Sequence, residues 1–271
     1  MLSNGAWAST LPLANLQSRV ISKVARTVDA TLASTKFDLV LAKQRRIRAF
    51  GIVNHNLSSN ATYRISSYTD ATFSTVIYDS GFMPAWPEVY PFDTLEWEDD
   101  NYWTGQTLEE DRVGYNLALP TVLATATFAQ YFRFEFSDPL NPAGYLQFGR
   151  LFLSGEWQPV VSMSKGASIG YETKTVVDEA ISGAEYFDHR TPYRVAKFTL
   201  SWMSEDEAMT RAFDMQRVVG IDGEVFYMWD INDTVHRLRR TFIGRLRTMS
   251  PIEAPDSVDI NQTAFEVKEN L

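Results

Sequence analysis

The sequence predicts a mainly β protein of two domains, with one helix in the second. Three observations carry that expectation. Most ordered-looking segments are short runs rich in Val, Ile, Thr, Tyr and Phe in which apolar and polar residues alternate, the period of a half-buried strand. Clusters of Asn, Asp, Ser, Gly and Pro separate those runs, as turns do. Only one stretch has helical periodicity together with start and stop signals. With 271 residues, 45% of them hydrophobic, the chain is long enough for two cores.

Residues 1–20 carry small and apolar residues, with Pro12 and no clear period, and read as an extended arm docking on a core or a neighbour. Strands are expected at Phe37–Leu41 and Ile47–Val53. Asn54-His55-Asn56-Leu57-Ser58-Ser59-Asn60 is turn chemistry, and a strand resumes over Ala61–Tyr68. Residues 79–112 form a long acidic loop. Pro84, Pro87 and Pro91 remove ladder donors there, Trp86, Trp97 and Trp103 punctuate it, and Glu96, Glu98, Asp99 and Asp100 cluster in it. Thr121–Thr127, the alternating Tyr131-Phe132-Arg133-Phe134-Glu135-Phe136 and Tyr145–Leu153 continue the β pattern, with a turn at Asp138–Gly144.

The domain break is placed at Ser154-Gly155-Glu156, which gives an arm over 1–20, a first domain over 21–154 and a second over 155–271. In the second, strands are expected at Ala167–Val177, Tyr193–Trp202, Glu224–Trp229, Thr241–Leu246 and Thr263–Glu269. The helix is expected over 205–219. Ser204 and Glu207 have capping-box spacing, acids fill the first turn, and Gly220 stops the helix. Ala208, Met209, Ala212, Phe213, Gln216 and Val219 give it one apolar stripe.

Composition excludes several chemistries. There is no cysteine, so disulfides, thiolate metal sites and cysteine nucleophiles are ruled out. A net charge of −9 argues against a free-standing nucleic-acid binder, and the basic runs Lys43–Arg48 and Arg237–Arg240 read as solvated or subunit-facing edges. No run of about 18 apolar residues suggests a membrane span, and no basic-then-apolar leader is seen, so synthesis in a reducing cytoplasm is expected.

Catalytic signals are few. His55, His189 and His236 stand far apart, without ligand spacing. Phosphate-cradling and dinucleotide glycine loops are absent. Gly166-Ala167-Ser168-Ile169-Gly170 matches a hydrolase nucleophile elbow, but strand-forming residues follow it where a helix is required. The acids of Glu96–Asp100 and Glu109–Asp111 have the chemistry for glycoside hydrolysis or calcium binding, though a solvated acidic loop is the simpler reading. No catalytic, cofactor or metal residue is therefore assigned, and no enzyme activity is expected. Trp86, Trp97, Tyr102 and Trp103 are the candidate contacts for a partner or a glycan, because aromatic faces stack on both.

Two stretches carry a family resemblance. Arg48–Ser58 with Tyr63-Arg64-Ile65 and Tyr78-Asp79-Ser80-Gly81, then Tyr131–Pro139 and Gly144–Leu153, resembles the galactose-binding-like (discoidin-like) jelly rolls found in phage tail proteins. Asn56 and Ser58 would pin the corner after His55, and Gly149-Arg150-Leu151 would close the sandwich. Beyond residue 155, Gly223–Trp229, Phe242–Leu246 and Ser250-Pro251-Ile252 are similar in layout to the tube-like domain of phage distal tail proteins. The resemblance implies a jelly-roll β-sandwich followed by a tail-tube-like β-sandwich with one helix. It further implies a structural component of a long-tailed phage tail tip or baseplate, located in the virion. That component would form a homo-oligomeric ring (hexamer or trimer) with acids towards the lumen and would dock other tail proteins, without specific nucleic-acid binding or membrane insertion. The alternative is a carbohydrate-binding adhesion module that contacts host surface glycans.

Overall fold

The three phenylalanines of Tyr131–Phe136 are completely buried, while Arg133 and Glu135 between them stay on the opposite, polar face. This period of two sets the main sheet of the first unit. A computed structural model describes residues 1–254 and 259–271. The nine strands of this unit are β1 (Leu2–Ser3), β2 (Ala25–Arg26), β3 (Lys36–Val53), β4 (Thr62–Tyr68), β5 (Val76–Asp79), β6 (Met83–Pro84), β7 (Ala118–Ser137), β8 (Gln147–Phe148) and β9 (Arg150–Ser154). Seven of them form one antiparallel sheet in the order β1-β3-β7-β4-β5, with β6 on the outer edge of β4 and β9 on the outer edge of β3.

The expected strands at Phe37–Leu41 and Ile47–Val53 are one strand, as are Thr121–Thr127 and Tyr131–Phe136. β3 and β7 each bend through register shifts, at Val40/Arg45 and Ile47/Ala49, so one long pair serves both ends of the sheet. The core is aromatic. Phe37 stacks on Phe134 at 4.9 Å, Phe50 meets Phe132 edge-on at 5.7 Å, and Phe136 packs on Phe148 of the small β2–β8 ribbon at 4.5 Å. Each such pair adds about 0.5–1.5 kcal/mol beyond the area it buries. The polar face is stitched by cross-strand ion pairs, Arg133 with Asp38 at 2.7 Å and Arg64 with both Asp79 and Glu135. The N-terminal residues lie on this unit: β1 pairs with β3, and Leu16 is buried in the core.

The chain divides into two compact units. The first holds Met1–Glu156 and Met228–Phe242, and the second holds Trp157–Tyr227 and Ile243–Leu271. A five-stranded antiparallel sheet organises the second unit, although Met228 and Thr241–Phe242, at the ends of two of its strands, are counted in the first. Its strands are β10 (Ser168–Glu172), β13 (Tyr193–Met203), β14 (Val225–Met228), β15 (Thr241–Leu246) and β16 (Asn261–Glu269), in the order β10-β13-β16-β15-β14. A separate hairpin, β11 (Val176–Glu179) with β12 (Glu185–Asp188), lies outside that sheet; its second strand was not expected from sequence. The mainly β class, with one principal helix in the second half, is the class observed.

That helix runs through Glu205–Glu207, Ala208–Phe213 and Asp214–Val219. Its cap is the expected one, Ser204 Oγ accepting the Glu207 N–H at 3.2 Å, and Gly220 ends it at φ +58°. Two details differ from the sequence reading. The Glu207 carboxylate does not return to the cap but accepts from Trp157 Nε1 and the Val160 N–H. The stripe is narrower, because Ala208, Ala212 and Gln216 are buried while Met209 and Phe213 are exposed. The segment Ala208–Phe213 is π-wound.

Candidate functional site

The corner Asn54–Ala61 between β3 and β4 supports the aromatic loop. Asn56 donates through Nδ2 to Tyr145 O at 3.0 Å and accepts the Gln147 N–H at 2.7 Å. Ser58 gives both its N–H and its hydroxyl to Asp138, at 2.8 and 2.6 Å. Asn141 then binds Asn56 O and Asp138, each at 2.8 Å. The two residues expected to pin this corner do so, because an Asx or Ser side chain can replace a backbone partner where the chain reverses.

Onto this corner the loop is clamped by buried groups. Trp86 is almost fully buried, and its indole N–H donates to Leu57 O at 3.0 Å. The Arg112 guanidinium lies 3.7 Å from the Trp86 ring centroid and donates to Thr107 O at 2.6 Å and Ser59 Oγ at 3.2 Å. Gln106 Nε2 reaches Ser59 O and Trp86 O, and Asn101 Nδ2 reaches Gln106 O. Gly105 joins the two limbs by accepting from Val89 and Tyr90. Its φ of +59° and the Glu88 and Tyr90 atoms beside it leave no room for a side chain. His55 packs its ring 5.6 Å from Trp86, and burial, with the Arg112 charge, holds its pKa down to about 3.

The four aromatic candidates therefore separate into two kinds. Trp86 is an anchor. Trp97 and Trp103 are 75% and 85% exposed, and half-buried Tyr102 meets Trp103 edge-on at 5.1 Å. Between them successive tight turns over Glu96–Gly105 set Glu96, Glu98, Asp99 and Asp100 in solvent. Asp99 caps one of these turns by accepting the Glu96 N–H at 2.9 Å. Sequence reasoning missed Arg112 and Asn101, the buried polar groups that hold the loop. Their only signal was their position inside a loop otherwise rich in acids.

The remaining candidates are placed as follows. Ser168 opens β10 and faces Lys197 across an antiparallel ladder, so it is not on a strand-to-helix turn. His189 and His236 are exposed, on different units. The Lys43–Arg46 run lies exposed on β3. Among the described residues, no three His, Asp or Glu side chains are grouped to hold a metal ion, and no helix is long and apolar enough to cross a membrane.

No protein-family model and no curated protein matches the chain. Among solved structures it is similar to CBM32-1 of a family 31 glycoside hydrolase from Clostridium perfringens, at 10% identity over 56% of this chain and 90% of that one, with a TM-score of 0.36. It is similar to the CBM32 of AlyQ in complex with 4,5-unsaturated mannuronic acid, at 15% identity over 57% and 93%, TM-score 0.37. A third is the family 32 module of C. perfringens NanJ in complex with galactose, at 13% identity over 56% and 91%, TM-score 0.37.

Proposed function

We propose that the first unit is a non-catalytic recognition module and that its aromatic loop binds carbohydrate. The observation that carries this reading is the contrast within one loop. Trp97 and Trp103 stand in solvent, while Trp86, Arg112, Asn101 and Gln106 fix the backbone beneath them. Large aromatic side chains are seldom left this exposed without a partner, and a clamped loop presents them with little ordering cost on binding. Sugar rings stack their C–H faces on such indoles, and neighbouring carboxylates accept hydroxyl protons. The test is a glycan array probed with the full chain and with Trp97→Ala and Trp103→Ala. Retention of a glycan class by the native chain, about ten-fold weaker in each variant at unchanged melting temperature, is expected. Absence of retention, or retention that ignores both substitutions, would overturn it.

A second reading, assembly of copies into a ring of a phage tail tip or baseplate, is favoured by the β11–β12 hairpin. All eight of its strand residues are exposed, Val176, Val177, Tyr186 and Phe187 among them. A two-stranded hairpin is marginal in water by itself. Paired edges and apolar side chains of this kind suit an interface between subunits. In this reading the partners are further copies, as a hexamer or trimer, and neighbouring tail proteins. Rings in electron micrographs of the purified chain would support it, and a monomer at all concentrations would oppose it.

A further inference from the structure

Besides the exposed tryptophans, the first unit forms a half-open cavity of about 190 Å³. One wall is Tyr63 of β4, Met83 of β6 and Pro120–Val122 of β7. The returning segment Met228–Phe242, part of the same unit, supplies the other. A water molecule occupies about 30 Å³ of liquid, so the space holds roughly six waters. Drug-sized ligands occupy larger pockets, of about 300 Å³ and more. The cavity has the size of a single sugar ring.

Its walls are divided by chemistry. Met83, Pro120, Val122, Met228 and Ile231 give carbon surface, and Tyr63, Thr121, Asp230, Arg237 and Thr241 carry the polar atoms. Tyr63 Oη and Thr121 Oγ1 share a buried hydrogen bond of 2.8 Å. That bond uses one of the two hydroxyl protons and leaves the other for a ligand. Burial pushes the Tyr63 phenol up, with the Thr121 bond and the Arg237 charge pulling it back, which places the guanidinium within electrostatic reach of the hydroxyl.

Arg237 differs from its neighbours in the helical turn Arg237–Arg240. Arg240 pairs with Asp233 at 3.1 Å and packs over Trp229, and Arg239 approaches Asp111 at 4.0 Å. The side chain of the half-buried Arg237 has neither an ion pair nor a hydrogen bond among the described residues. A guanidinium at a cavity wall without an anion is a carboxylate receptor by geometry and charge. A phosphate fits less well, because its second negative charge would face Asp230 on the same wall. Asp230 instead suits a hydroxyl donor.

We infer that this cavity binds a small hydroxylated carboxylate, a sugar acid of uronic-acid class. Its carboxylate lies on Arg237, its hydroxyls meet Asp230 and the Tyr63–Thr121 pair, and its carbon face lies against Met83 and Met228. The site is separate from Trp97 and Trp103 and stands or falls without them.

The experiment is calorimetric titration of the full chain at low salt with galacturonate, galactose and acetate as probes. Galacturonate binds saturably, with galactose and acetate each at least about ten-fold weaker. Arg237→Gln loses at least about ten-fold of the galacturonate affinity, while Arg217→Gln, which removes an exposed cation of the second unit paired with Asp214, leaves it unchanged. Thr121→Val, which removes one hydroxyl and keeps the shape, weakens galacturonate and gives a second reading should Arg237→Gln fold poorly. Equal affinity for galacturonate and galactose, no saturable galacturonate binding, or full binding by both Arg237→Gln and Thr121→Val would overturn the inference.

Discussion

At pH 7 His55 carries no charge, since its pKa is held down to about 3 by burial and by the Arg112 guanidinium nearby. In the unfolded chain the same imidazole titrates near 6.5. Between those values the unfolded state takes up a proton that the folded state refuses. Stability from this group is therefore complete above about pH 6.5 and falls as pH drops, by up to about 1.4 kcal/mol per unit. The loss continues until the folded pKa is reached. Denaturant titrations between pH 7 and pH 5, above most carboxylate pKa values, should show a declining midpoint in the native chain and a flatter one in His55→Gln. Equal slopes would mean that the imidazole accepts its proton in the folded state. Trp86, Trp97 and Trp103 make a related point: as sequence they are three tryptophans in one loop. What buries the first is Arg112, 26 positions onward, and no local pattern announces that pairing.

β13 and β16 are joined in the core of the second unit by an ion pair that neither strand's alternation reveals. Arg194, the largest fully buried side chain, gives its backbone N–H and its Nε to Glu269 Oε2, both at 2.9 Å, and its Nη2 to Oε1. Removing one partner leaves the other buried and unpaired, which costs about 3–5 kcal/mol. Glu269→Gln should lower the denaturation midpoint of the second unit by that order, whereas Arg247→Gln, which breaks an exposed pair with Glu172 and Glu266, should cost under about 1 kcal/mol. Similar losses in the two variants would show that the Arg194 site is hydrated. At the helix, Ser204→Ala removes the acceptor of the Glu207 N–H, and thermal unfolding should register about 1 kcal/mol. Unchanged stability would show that water caps the helix equally well.

For the whole molecule the prediction concerns association. If the β11–β12 hairpin is covered by another copy, Val177→Lys with Phe187→Glu removes two exposed apolar side chains that face each other across it and shifts the mass in light scattering downwards. A native chain and a variant of equal mass at every concentration would leave the hairpin without that role. Local order was legible in the sequence: the alternation of Tyr131–Phe136, the Asn56–Ser58 corner, the Ser204 cap and the Gly220 stop each depend on neighbours a few residues away. The mainly β class followed from them, since side-chain period and turn chemistry are properties of short segments. Only the tertiary structure decided that two pairs of expected strands are single long ones, that Met228–Phe242 returns to the first unit, and that Arg112, Arg194 and Arg237 have three different fates. Those outcomes depend on groups tens of residues apart meeting in space. Burial, pairing and cavity formation belong to the folded contact and not to the residue, so a linear reading finds the candidates and the packing assigns their work.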